Sequence, residues 1–120
     1  MPPPGPRVRW ARKLLPSGGI TNDVVIDVAA ATTTTLVAAV AGLRVYVYRV
    51  VLFVNGANSV TWQDTNGAAL FPVMAFGANS GLVLDEADTG PWMTTPLGTG
   101  LQLVTSAAVQ ASGRIYYVQA

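Results

Sequence analysis

The sequence predicts an all-β fold: an antiparallel β-sandwich, a jelly roll of about eight strands, with an extended N-terminal arm. Three observations carry this expectation. Short runs rich in β-branched and aromatic residues recur at roughly 8–12-residue spacing from Ile20 onward, each closed by turn residues. A chain of 120 residues has room for a single core. Its composition, 51% hydrophobic and 11% charged, argues against disorder as the main state.

The division expected is an arm over residues 1–19 and a sandwich domain over 20–120. Pro2, Pro3, Pro4, Pro6 and Pro16 favour extended backbone without internal hydrogen bonds, so the arm has no core of its own. Of the seven basic residues, Arg7, Arg9, Arg12 and Lys13 lie here, leaving Arg44, Arg49 and Arg114 against all six acids. A basic arm thus precedes a mildly acidic body. Trp10, Leu14 and Leu15 add apolar anchors, and a buried tryptophan outweighs any single exposed ion pair. These seven arm residues, Arg7, Arg9, Trp10, Arg12, Lys13, Leu14 and Leu15, are the candidate partner-binding set, laid across a neighbouring subunit or another protein surface.

Ile20 to Val28 reads as the first strand, although Asp23 and Asp27 interrupt its alternation. Ala29 to Gly42 is ambiguous, because alanine favours helix whereas the Thr32 to Thr35 block opposes it. Leu43 to Val54 is the clearest strand: Leu43, Val45 and Val47 alternate with Arg44, Tyr46 and Tyr48. Its last five residues, Val50 to Val54, are continuously apolar and read as buried on both faces. Arg44, Tyr46 and Tyr48 share one face and form a candidate subunit interface, where arginine and tyrosine are enriched. The turns Asn55 to Asn58 and Asp64 to Gly67 bracket Val60 and Trp62 as a hairpin strand. Ala68 to Phe76, Gly81 to Leu84, Trp92 to Thr95, Leu101 to Ser106 and Arg114 to Gln119 complete the set. Loops fall at Gly77 to Ser80, Asp88 to Pro91, Gly98 to Gly100 and Ser112-Gly113.

Chemistry is constrained by what is missing. With no cysteine and no histidine, thiolate nucleophiles, disulfides and the commonest general base and metal ligand are excluded. Lys13 is the one lysine and lies in the arm, so no activated serine is expected. Asp85, Glu86 and Asp88 do not follow the alternate-position spacing of a calcium loop, and with Asp64 they read as turn and loop carboxylates. Gly98-Thr99-Gly100 lacks the third glycine and the helix of a dinucleotide site. No enzyme activity, metal or cofactor is expected. Val28 to Leu43 is shorter than the roughly 20 apolar residues of a spanning helix, and the start lacks a secretory h-region. The arm's cations with Trp10 suit nucleic acid weakly, because the body offers no basic face to continue the site.

The segments Ala41-Gly42-Leu43-Arg44-Val45-Tyr46-Val47-Tyr48 and Gly56-Ala57-Asn58-Ser59-Val60-Thr61-Trp62 carry a family resemblance. With Thr95 to Leu103, Ser106 to Gln110 and Gly113 to Val118, they resemble small virion proteins of tailed bacteriophages over roughly residues 20–120. That resemblance implies a β-sandwich, often a homotrimer, made in the host cytoplasm and carried on the capsid surface. The implied role is a capsid decoration or cement protein that binds the major capsid protein and stabilises the shell. The alternative within the same group is a tail or head fibre module contacting a host surface glycan, with Trp92 and Asp85 to Asp88 as its contact region.

Overall fold

The computed structural model describes residues 22–85 and 90–120. The proposed arm lies outside the described residues. Among those described there are nine strands and no helix: β1 (Asn22–Val28), β2 (Thr33–Val37), β3 (Val45–Val54), β4 (Asn58–Asp64), β5 (Met74–Phe76), β6 (Ser80–Leu84), β7 (Met93–Thr94), β8 (Leu101–Thr105) and β9 (Ala111–Gln119). The β-branched threonines therefore prevail over alanine in the ambiguous early stretch, giving β2.

The pairing order defines the topology. Strand β4 pairs with β5, β3 with β6, β2 with β8 and β1 with β9, all antiparallel. The chain thus forms one long hairpin with its tip between β4 and β5. Rolling that hairpin sets β9 against β3 and β8 against β4, producing sheets ordered β1-β9-β3-β6 and β2-β8-β4-β5. This is a jelly-roll sandwich. Strand β7 pairs with Tyr46 and Val47 of β3, while β6 pairs with Val50 to Val54 of the same edge. The two are halves of one interrupted strand, which accounts for eight jelly-roll positions filled by nine pieces.

Three local expectations are corrected. Strands β3 and β4 lie in different sheets, so Asn55 to Asn58 turns a corner between layers and closes no hairpin. The turn at Asp64 to Gly67 does reverse the chain locally, with Leu70 donating to the Trp62 carbonyl at 2.8 Å. Within Ala68 to Phe76 only Met74–Phe76 is strand, beyond an isolated bridge at Ala69. Ser112-Gly113 is no loop, because β9 already starts at Ala111 and runs through it.

A fourth correction is the most consequential. A bulge in β3 separates Val47, opposite Tyr117, from Arg49, opposite Tyr116, with Tyr48 as the inserted residue. The extra residue shifts the phase of the strand. Val45 and Val47 point inward before it, and Val50, Leu52 and Val54 point inward after it, all fully buried. Val51 and Phe53 consequently face out, and the strand end is not buried on both faces. The inner layer joins these valines to Ile26, Val60, Trp62, Leu101, Leu103 and Ile115.

Polar groups inside the sandwich tie its corners. The Thr95 hydroxyl accepts from the Val45 amide at 2.8 Å and donates to the Thr99 carbonyl at 3.2 Å. Asn58 Oδ1 accepts from the Ser106 and Ala107 amides at 3.0 and 3.1 Å. Buried Asp64 caps its own turn, accepting from the Asn66 amide at 2.8 Å and the Ala68 amide at 3.1 Å.

Candidate interaction face

The outer face of the β1-β9-β3-β6 sheet follows from register. One row across the strands reads Asp23, Tyr116, Arg49, with Asp85 just past the end of β6. The next reads Val25, Arg114, Val51, Val83, and the third Asp27, Ser112, Phe53, Gly81. Because side chains alternate along a strand, all of these stand on the side away from the core.

The rows give an apolar centre bordered by ion pairs. Val25, Phe53 and Val83 are 54%, 54% and 53% exposed. Arg49 Nε meets Asp85 Oδ1 at 3.0 Å, and its guanidinium carbon lies 5.4 Å from the Tyr116 ring centre. Arg114 Nη1 meets Asp23 Oδ2 at 3.0 Å. Its stem crosses between Val25 and Val51 in the register. Asp27 accepts from the neutral Gln110 amide at 2.7 Å.

Glycine shapes this face. A Cβ on Gly81 would collide with the Leu52 carbonyl and come within 2.7 Å of the Phe53 ring, so Phe53 lies close beside the glycine. Between that ring and Tyr116 runs an open groove of about 390 Å³ lined by Val51, Phe53, Ser112, Gly113, Arg114 and Tyr116. Aromatic rings, arginine stems and a small-residue floor are the ingredients of an interface patch.

The residues singled out from sequence are distributed differently. Arg7, Arg9, Trp10, Arg12, Lys13, Leu14 and Leu15 lie outside the described residues, as do Glu86 and Asp88. Arg44 is exposed just before β3, where its backbone exchanges hydrogen bonds with Ala120. Tyr46 is half-buried, whereas Tyr48 is 1% exposed, packed with Val118 beside Tyr46 and Ala120. The bulge turns Tyr48 into the chain's own packing, so only Arg44 and Tyr46 of that trio are open to a partner. Burial raises the Tyr48 phenol above its ordinary 10.0, and neighbouring Tyr46 adds to the rise.

The carboxylates are committed to structure. Asp64 is buried in its turn, and Asp85 joins Arg49. Trp92, on the stretch before β7, donates its indole N–H to the Asp85 carbonyl at 2.6 Å, fastening the two ends of the strand interruption. Among the described residues no group of three or more carboxylates could hold a metal ion.

Sequence reasoning missed Val25, Val51, Phe53, Val83, Arg114 and Tyr116 as a common face. A signal was present in the phase jump from Val45 and Val47 to Val50, Leu52 and Val54, which only an inserted residue reconciles with one core. No protein-family model, curated protein or solved structure matches the chain.

Proposed function

We propose that this chain is a non-enzymatic virion structural protein, a decoration or cement subunit held on the outer shell of a phage head. One observation carries the reading: a small rigid sandwich presents an apolar, arginine- and tyrosine-bearing sheet face to solvent. Patches of that composition serve association, and a jelly roll is a fold used by capsid and lectin domains alike. The fold alone assigns no function. The resemblance to phage virion proteins chooses among the options, and the partner it names is the major capsid protein, with nucleic acid and membrane set aside.

A shell subunit needs contact area and stiffness, and no turnover. The committed roles of Asp64 and Asp85 suit such a part. The test is the copy number and position of the chain in purified particles of the virus that encodes it, by quantitative mass spectrometry and cryo-microscopy. Hundreds of copies on the shell lattice support the reading. A handful at the tail or a fibre tip would replace it with the host-glycan module, and absence from particles would remove both.

A further inference from the structure

We infer that copies of this chain associate with one another through the loop end of the sandwich, where the turns Val40 to Leu43 and Pro96 to Thr99 stand side by side. This surface is separate from the outer sheet face, which stays open to a different partner. The inference concerns the free molecule and stands whether or not the chain belongs to a virion.

The end is built as a rigid pair of turns. The Leu43 amide donates to the Val40 carbonyl at 3.1 Å, and the Thr99 amide to the Pro96 carbonyl at 3.1 Å, so each is a closed four-residue turn. Gly42 at φ 80 and Gly98 at φ 78 take the third position of each, where the backbone is left-handed. The Gly98 amide then donates to the Leu43 carbonyl at 2.7 Å and stitches one turn to the other. Around them, the Gln119 side-chain amide donates to the Ala38 carbonyl at 2.8 Å, and the Gly100 amide to the Thr65 hydroxyl at 2.9 Å. Gly100 lies so close under the first loop that a Cβ there would run into the Val37 carbonyl. A surface pinned at so many points loses little freedom when it is covered.

What these turns carry is apolar. Leu97 is 59% and Val40 42% exposed, and Ala38, Ala39, Ala41 and Pro96 are exposed beside them. Turn tips ordinarily carry Gly, Pro, Asn, Asp or Ser. A leucine and a valine held in water on two joined turns make a continuous apolar patch of the kind that marks association.

Charge decides the occupant. Residues 38–43, 65–69 and 95–100 contain no ionisable side chain, and Arg44 marks the margin. Where identical copies close around an axis, side chains near it face their own counterparts, and like charges brought together in this way repel. Leucine and valine against their own copies meet no such penalty and bury apolar area from every side. The outer face of the β1-β9-β3-β6 sheet is the opposite case. There Asp23, Asp27 and Asp85 outnumber Arg49 and Arg114, and the acidic excess suits a partner of different composition. Arg44 and Tyr46, beside the loop end at the start of β3, add the residue types enriched at interfaces.

Light scattering on the full chain, from low micromolar to near-millimolar concentration, tests the assignment. The mass is expected to rise to a whole multiple of the chain mass. Leu97→Asp and Val40→Asp, each checked for an unchanged circular dichroism spectrum, are expected to weaken association about tenfold or more, since each removes apolar burial and sets a carboxylate against its own copy. Phe53→Asp, on the sheet face, is expected to leave association unchanged. A second readout is photocrosslinking: benzoylphenylalanine in place of Leu97 is expected to join two copies at residues 38–44 or 96–100, read by peptide mass spectrometry. A monomer mass at every concentration would overturn the inference. So would undiminished association in both turn variants, dissociation caused by Phe53→Asp, or crosslinks between copies that fall only elsewhere on the sandwich.

Discussion

At the scale of single residues, Trp62 and Trp92 divide by environment, as do the tyrosines. Trp62 is fully buried between the sheets, whereas Trp92 is partly exposed and fastened by one hydrogen bond to Asp85. Trp62→Ala is therefore expected to destabilise the fold by about 3–5 kcal/mol, and Trp92→Ala by about 1 kcal/mol. Urea denaturation of the two variants reads the difference, and equal losses would contradict the burial assignment. Tyr48 makes a pH prediction. Its phenol is raised above 10.0 in the folded chain by burial, so folding favours the protonated form. That contribution is fully present below the unfolded value of about pH 10 and is lost as pH rises through the higher folded value. Unfolding free energy measured between pH 8 and 11 should fall with pH, and Tyr48→Phe should flatten the slope.

At the scale of elements, β3 and β9 control the molecule. Where they pair, a Cβ on Gly113 would run into the Val51 carbonyl oxygen, whereas one on Gly77 meets nothing within 4 Å. Gly113→Ala should cost at least about 2 kcal/mol by forcing the two strands apart, while Gly77→Ala should leave the denaturation midpoint nearly unchanged. The same elements show what could be read in advance. Strong β runs such as Leu101 to Ser106 and Gly81 to Leu84 were legible because apolar and β-branched residues cluster between clear turns. The hairpin expected at Asn55 to Asn58 was not legible as a corner, since Asn and Gly serve a turn whether it joins neighbours in one sheet or crosses between two. The outward turn of Val51 and Phe53 depends on the Tyr48 bulge, and a bulge adds a residue without adding a distinctive residue type. Hydrophobic content alone therefore assigned Phe53 to the core, and the interaction face stayed hidden in a strand otherwise correctly found.

At the scale of the whole molecule, the proposed shell subunit is expected to assemble as a homotrimer, a closed arrangement in which one patch serves every contact. Light scattering at micromolar concentration should return three times the chain mass, and a monomer mass would leave assembly to the particle surface alone. The rolled hairpin also imposes an order in time. Val24 pairs with Ile115 and Val28 with Ala111, so β1 is among the first strands to leave the ribosome and waits for the last described strand before it has a neighbour in its sheet. At cellular synthesis rates that wait is on the order of 10 s. Pairings so distant along the chain also place refolding in the millisecond-to-second range, measurable by stopped-flow fluorescence of Trp62. Until β9 emerges, Ile26 and Val28 have no sheet to complete, and a nascent chain halted before Ala111 should remain a substrate for chaperones and proteases.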